Sequence, residues 1–465
     1  MAGARIGIFG LGTMGGALAL NFADKGIATT VANREAEWIA PFLGRAGPLA
    51  ASLSAADGPE GMLARLARPR VVLMMIPAGA PVEETIARFR LLMEPGDILV
   101  DGGNSDHNDT ARRAADLARE GLHFMGLGVS GGATGARHGP SLMLGGAKAG
   151  WTALQPLLDP VAARFGESPC VAHLGPGGAG HFVKTVHNGI EYADMQMIAE
   201  TYGLLRDGAG WDAPEIGALF ARWAKGPLAS FLVETTARVL CVPDPISGRP
   251  MVDMIRDQAG QKGTGRWTLI EALKLGQSAP AIEAAVGARA WSALKPHRLM
   301  AETQLPAQTT PARLPEPETL ARALYAGRVI AHLQGFEILR AASIEHGWNL
   351  DLSRIASIWR AGCIIRSSLM NELVAILAET PQRPPWLAPA IAGLIGPALP
   401  ALRETVAAAA LTGLPAPALS AALAWYDSIR RGQGTANLIQ AQRDAFGRHG
   451  FERTDRAGLT HGDWG

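Results

Sequence analysis

The stretch RIGIFGLGTMGGALALNFADKGIATTVANR, residues 5–34, constrains the fold more than any other part of the chain. It reads as an apolar strand, a glycine-rich turn, a helical run stopped at Gly26, and a second strand ending near Ala32. That is one βαβ unit. Two strands joined through a helix run parallel, and a parallel sheet needs cover on both faces. Further short apolar runs, VVLMMI (71–76) and DILVDGG (97–103), are separated by helical patterns, with weaker strand signals near 123, 142 and 171. Residues 1–178 are therefore expected to form a doubly wound α/β domain.

After the glycine-rich break HLGPGGAG (173–180), strand signals almost vanish and amphipathic helical patterns continue to about residue 430. A large all-helical domain is expected over 179–430. Within it, GWDAPEIGALFARWAKG from Gly210 and GWNLDLSRIASIWRAGC from Gly347 look alike, which points to an internal duplication. The last stretch, 431–465, is polar and punctuated by glycine, so it is expected to be a tail outside the core.

Length and charge narrow the partners. With 465 residues the chain has room for two or three domains, and 43 Lys+Arg against 42 Asp+Glu leave a net charge of +1. That balance provides no electrostatic footprint for nucleic acid or an anionic membrane, so small molecules or protein are the expected partners. Cys170, Cys241 and Cys363 are far apart and odd in number, which suits a reducing cytoplasm and neither a disulfide framework nor a zinc site. The N-terminus reaches a strand-like run by Arg5, leaving no room for a secretory signal. The uncharged run PPWLAPAIAGLIGPALPAL (384–402) carries five prolines, which favours short buried helices and turns over a membrane span.

HFVKTVHNGIEYADMQ (181–196) sets polar groups in an apolar helix. Lys184, His187, Asn188 and Glu191 fall at i, i+3, i+4 and i+7 with Tyr192 beside them, so all five share one face. Phe182, Val183, Val186, Ile190 and Met197 take the opposite face. A solvated helix with incidental charges would look similar, but this polar face is short and chemically mixed.

The first turn, Gly10, Leu11, Gly12, Thr13, Met14, Gly15, matches the G-x-G-x-x-G fingerprint of a Rossmann-type dinucleotide site, with a strand before it and a helix after. At the end of the second strand stand Asn33, Arg34 and Glu35. An arginine there pairs with a 2′-phosphate, which favours NADP, whereas a carboxylate suits ribose hydroxyls and leaves NAD possible. GLGVSGGATGARHGPSLMLGG (126–146) supplies Ser130, Gly131 and Gly132, a hydroxyl and backbone amides able to hold a carboxylate, or a bare surface loop. Asp101, Asp106 and Asp109 in DGGNSDHND lack the glycine and distal glutamate of a calcium loop, so a helix cap at Ser105 or Asp106 is expected and no metal.

DGGNS, SGG…GARHGPSLM, KTVHNGIEYADMQ, QKGTGRWT (261–268), WRAGCIIRS (359–367) and ANLIQAQRDAFGRHGFE (436–452), in this order and spacing, closely resemble the decarboxylating 6-phosphogluconate dehydrogenases. The resemblance implies oxidative decarboxylation of 6-phosphogluconate in the pentose phosphate pathway, with Lys184 as general base and Glu191 as general acid. It implies that Asn104, His187 and Asn188 position the substrate hydroxyls and that Ser130, Gly131 and Gly132 hold its carboxylate. Tyr192, Lys262 and Arg289 match phosphate ligands within one subunit, and Arg443 and His449 match residues that a partner subunit's tail contributes, which implies a homodimer. Ile76, Pro77, Ala78 and Asn104 match the nicotinamide side of the cofactor site. The chain departs from the family pattern at Gly12, commonly alanine, and at Pro77, commonly lysine. Ala133 and Thr134 replace an acidic pair, and Glu35 stands where threonine is usual. These departures bear on cofactor preference and nicotinamide geometry. The rival readings are a dehydrogenase of small unphosphorylated hydroxy acids and a noncatalytic NADP-binding homologue.

Overall fold

A computed structural model describes residues 3–465 apart from 262, 308, 380 and 382. The opening βαβ unit forms as read, with β1 (Ile6–Phe9), helix α1 (Thr13–Asp24) and β2 (Thr29–Ala32), and β1 pairs parallel to β2. The sheet continues through β3 (Leu53–Ala55), β4 (Val71–Met74), β5 (Ile98–Asp101), β6 (His123–Ser130), β7 (Ser141–Gly145) and a last strand, Val171–His173. All three weak strand signals therefore correspond to strands. The edge strand β3 was not anticipated: three half-exposed residues carry too little periodicity to read.

Across the sheet the order is Val171–His173, β7, β6, β5, β4, β1, β2, β3. Winding reverses between β1 and β4, and this switch opens a crevice beyond the carboxyl ends of the parallel strands. β7 runs antiparallel to its neighbour β6, and the last strand runs parallel to β7. β1, β2, β4 and β5 are buried along their whole length, as cover on both faces requires.

Beyond His173 the sheet gives way to helices. The central helix, Ala179–Gly203, is 25 residues long and buried on nearly every side. Its apolar residues Phe182, Val183, Val186, Ile190 and Met197 have no exposed surface, as expected. The polar face is also enclosed, because Lys184 and Asn188 are 7% exposed and His187 is 0% exposed. A solvated surface helix is thereby excluded.

Glycines let this helix approach so closely. A Cβ on Gly180 would lie 2.5 Å from Met143 O and 2.7 Å from Gly126 O, so helix and sheet backbones meet directly. On the other side, a Cβ on Gly189 would strike the Thr268 side chain, and one on Gly335 would strike Ile190. Gly335 belongs to a second long helix, Pro317–Glu345. Arg328 of that helix forms a buried ion pair with Asp194 of the central helix, Nε to Oδ1 2.5 Å. Removing either partner would leave a lone charge in the core.

The two similar segments share a glycine turn and an aspartate helix cap, but the cap comes two residues after Gly210 and four after Gly347, where Asn349 adds a second positive φ of 53°. Gly210 and Gly347 both have positive φ, of 73° and 63°, and Asp212 and Asp351 each cap a following helix, Ala213–Trp223 and Leu352–Ile358. The proline-rich run folds as a short 3-10 turn, Pro385–Leu387, followed by helices Pro389–Ile395 and Leu399–Thr412. Among the described residues no single helix is long and apolar enough to cross a membrane, and the one pair of helices that passes together is bent by 49°.

In the tail, helix Ala436–Gly447 and a two-stranded hairpin close around the buried Asp444. Its carboxylate accepts from Gly450 N (2.8 Å), Gly462 N (2.9 Å) and Trp464 Nε1 (2.8 Å). Leu438, Ile439 and Phe446 stay exposed on this unit. The helix-to-sheet approach leads to one expectation. Gly180→Ala should lower the free energy of unfolding by about 3 kcal/mol, the scale of an overpacked core, as read from urea unfolding.

Candidate active site

The crevice begins at the glycine turn after β1. Gly10 has φ 105°, and a Cβ there would lie 2.5 Å from Met75 O. A Cβ on Gly15 would collide with Gly10 O, so the third glycine sets the contact between α1 and its strand. Nothing stands within 4 Å of a Cβ at Gly12, and no side chain caps α1. The amides of the first turn, at Thr13 and Met14, are thus open to a phosphate. The Leu11 amide donates to Asn33 Oδ1 at 2.8 Å, tying the turn to the end of β2. Asn33 Nδ2 donates to Glu35 Oε2 at 3.0 Å, and Arg34 Nε donates to Glu35 Oε1 at 2.6 Å. The hydrogen bond from Arg34 holds the Glu35 carboxyl below its ordinary pKa. Glycine clearance, a free helix terminus and polar groups at the end of β2 together fit a dinucleotide.

Three more strands end on the same rim. β4 leads into Ile76, Pro77 and Ala78, with the Ile76 side chain against Gly10. β5 leads into a loop with Asn104 exposed, and the following helix, His107–Ala118, is capped by Asp106, which accepts from Asn108 N at 2.8 Å. The expected cap is therefore Asp106. β6 ends at Ser130, followed by Gly131 and Gly132 with φ of 108° and 62°. A Cβ on Gly131 would lie 2.5 Å from Gly362 O, so the loop of the WRAGC motif forms the wall behind it.

The central helix crosses beneath. Gly128 of β6 makes room for Lys184, since a Cβ there would lie 2.5 Å from Lys184 Cβ. His187 is the hub. Its Nε2 lies 3.1 Å from Ser130 Oγ, and its Nδ1 lies 3.5 Å from Lys184 Nζ, 3.3 Å from Asn188 Oδ1 and 3.7 Å from Glu191 Oε2. Four groups from the predicted polar face and Ser130 of the sheet are thus brought together. Sequence reasoning did not assign Gly128 or Gly362 a part in this, although both lie in glycine-bearing motifs that it had singled out.

Burial sets the charges here. It pushes the Lys184 amine below its ordinary pKa, against the pull of the Glu191 charge. It raises the Glu191 carboxyl, against Lys184 and Arg289. It drives His187 well below the usual histidine range, helped by the Lys184 charge. The Cys363 thiol is pushed up to about 12 by burial, which leaves it neutral. Amine, imidazole and carboxyl are all driven toward their uncharged forms.

One helical step beyond lies the cationic end. The Arg289 guanidinium stacks 3.9 Å from the Tyr192 ring centroid and donates from Nη1 to Gly260 O at 3.1 Å. Lys262 lies outside the described residues. Arg443 and His449 sit exposed on the tail. Among the described residues, no hydrogen bond or ion pair joins either of them to Lys184, Glu191 or Arg289.

Comparison with known proteins covers this whole arrangement. Residues 5–175 match the NAD binding domain of 6-phosphogluconate dehydrogenase, and residues 180–464 match the 6-phosphogluconate dehydrogenase C-terminal domain. The decarboxylating 6-phosphogluconate dehydrogenase of Synechococcus elongatus is 43% identical over 100% of both chains. Two Bacillus subtilis relatives, one NADP(+)-dependent and one NAD(+)-dependent, are each 40% identical, over 100% and 99% of both chains respectively. The solved structure of Plasmodium falciparum 6-phosphogluconate dehydrogenase, described in apo form and with NADP+ and 6-phosphogluconate, matches with a TM-score of 0.95 at 37% identity, covering 99% of this chain and 100% of that one. Both halves of the chain, and the relatives that span it from end to end, lead to one assignment: it belongs to the 6-phosphogluconate dehydrogenase family.

Proposed function

We infer that the protein oxidatively decarboxylates 6-phospho-D-gluconate to D-ribulose 5-phosphate and CO2 with reduction of NADP, using Lys184 as general base and Glu191 as general acid. The observation that carries these roles is the buried face on which Lys184 and Glu191 flank His187, at 3.5 and 3.7 Å. A lysine must be deprotonated to act as a base and a glutamate protonated to act as an acid. Burial moves both in the required direction.

Lys184 Nζ takes the proton from the C3 hydroxyl. A nicotinamide cofactor held at the Gly10–Gly15 turn would supply the acceptor for the C3 hydrogen and its electron pair, so that C3 becomes a ketone. That ketone lies β to the carboxylate, so the electrons of the C1–C2 bond flow into it as CO2 departs. Protonated Lys184 donates to the ketone oxygen and supports this flow without a metal. Glu191 then protonates the former C2, which is C1 of the resulting enediol, and Lys184 takes back the hydroxyl proton as the product ketone forms. Ser130, Gly131 and Gly132 hold the substrate carboxylate, and Asn104, His187 and Asn188 its hydroxyls. Tyr192, Lys262 and Arg289 receive the phosphate, which separates this reading from a dehydrogenase of unphosphorylated acids.

Arg443 and His449 complete the phosphate site from the tail of a partner subunit in a homodimer. The exposed apolar residues Leu438, Ile439 and Phe446 on the Asp444-centred unit support insertion into a second chain. Three free cysteines suit a cytoplasmic location.

Purified protein given 6-phosphogluconate and NADP should release NADPH and CO2 together and leave gluconate untouched; absence of turnover by the folded protein, with NAD as well as NADP, would sink the reading. Lys184→Met should reduce hydride transfer at least about a hundredfold. Glu191→Gln removes a carboxyl that, whenever it is ionised, raises the Lys184 pKa. The acidic limb of hydride transfer, where activity falls as Lys184 gains its proton, should therefore move to lower pH in stopped-flow profiles; a limb unmoved or moved upward would separate the two groups. Mixing Lys184→Met and Arg443→Ala subunits should restore roughly a quarter of wild-type activity if subunits pair at random, because one site in each mixed dimer is whole. No gain over the separate variants would argue against the shared site.

A further inference from the structure

Sheet and central helix carry different parts of the site, and one buried side chain joins them. The Asp101 carboxylate folds the loop after β5 back on itself: Oδ1 accepts from Gly103 N at 3.0 Å and Oδ2 from Ser105 Oγ at 2.7 Å, with Arg113 Nη1 at 3.4 Å. This turn presents Asn104. At its root, the Asp101 carbonyl accepts from His181 Nε2 at 3.1 Å, and His181 Nδ1 lies 2.7 Å from Thr110 Oγ1. His181 is 1% exposed and stands one helical turn before Lys184.

We propose that His181 is a positioning residue, a strut that fixes the Asn104 loop against the helix bearing Lys184 and so sets where substrate C3 lies relative to base and nicotinamide. The partners define one tautomer. Nε2 faces a carbonyl and must carry the proton, so Nδ1 accepts the Thr110 hydroxyl. The other acceptor near that hydroxyl, Asp106 O at 3.0 Å, already receives Thr110's own amide at 3.0 Å. Burial lowers the His181 pKa against the Asp101 charge, which keeps the ring neutral. The sheet also fixes the ring's position, since a Cβ on Gly126 would lie 2.9 Å from His181 Nδ1. The helix is thus held at two successive turns, by the His181 hydrogen bond and by the seat of Lys184 on Gly128.

The catalytic consequence rests on the proposed roles of Lys184 and Asn104; the strut itself does not, and the experiment reads the two separately. His181→Gln keeps an amide donor where Nε2 stands, whereas His181→Asn keeps a partner for Thr110 and loses the bond to Asp101. Hydrogen exchange by mass spectrometry over residues 102–106 of the full-length protein should be about tenfold faster in the Asn variant and close to wild type in the Gln variant. With 6-phosphogluconate, kcat should fall roughly thirtyfold in the Asn variant, the scale of a misplaced reacting atom, with a larger primary isotope effect from deuterium at C3. The Gln variant should stay within about threefold of wild type. A general loss of structure would lower the active fraction and leave the isotope effect alone. If His181→Asn does not fold, Thr110→Val removes the hydroxyl donor to the ring and should loosen the same segment. Unchanged exchange at 102–106 in the loosening variants, or equal behaviour of Asn and Gln, overturns the strut. Wild-type protein inactive on 6-phosphogluconate would overturn the functional reading and leave the exchange result to judge the strut.

Discussion

The enclosure of one polar helical face, away from water, is the constraint from which the chemistry follows. At a surface, an amine and a carboxyl two turns apart would be an ammonium and a carboxylate, each in the wrong state for base and acid. Buried between sheet and helices, both move toward neutrality, and their mutual attraction only partly restores the charges. The groups already hold the protonation tendencies that the roles proposed for them require.

That enclosure depends on residues with no chemistry of their own. Gly145 on β7 meets the helix backbone at Gly180, and Gly126 and Gly128 on β6 leave room for the His181 and Lys184 side chains. Lys184 then reaches the rim formed by the carboxyl ends of β1, β4, β5 and β6. The topological switch between β1 and β4 places the glycine turn on that rim. A bulkier residue at any of these positions would displace the helix from the crevice by a fraction of an ångström to more than one, enough to weaken proton transfer.

The sequence disclosed the parts with strong periodicity. The opening βαβ unit, the later strands, the helical second half and the shared face of Lys184, His187, Asn188 and Glu191 all follow from local pattern. What it concealed was tertiary. The short, mixed polar face hinted at burial without fixing it, and nothing local marks Gly128, which seats Lys184, among the many other glycines of the chain. β3 was too short to carry a pattern. Arg289, proposed as a phosphate ligand, is by sequence alone an ordinary helical charge and in the fold stacks on Tyr192. Asp444 looked like one more charge in a polar tail, whereas four hydrogen-bond donors converge on it and turn the tail into a folded unit.

Cofactor choice lies at a smaller scale than family membership. The NADP(+)-dependent and NAD(+)-dependent relatives from Bacillus subtilis are equally similar to this chain, so overall identity carries no information about the preference. The end of β2 does. Arg34 offers the cation that a 2′-phosphate requires, but its guanidinium is engaged by Glu35, whose second oxygen is held by Asn33. A 2′-phosphate must draw Arg34 away from that carboxylate and then remain beside it, whereas a ribose hydroxyl can donate to the carboxylate as it stands. On the proposal that the adenosine ribose docks here, the same pair would offer NADP a contact and a cost that NAD escapes, with the difference set by how far Arg34 can turn from Glu35.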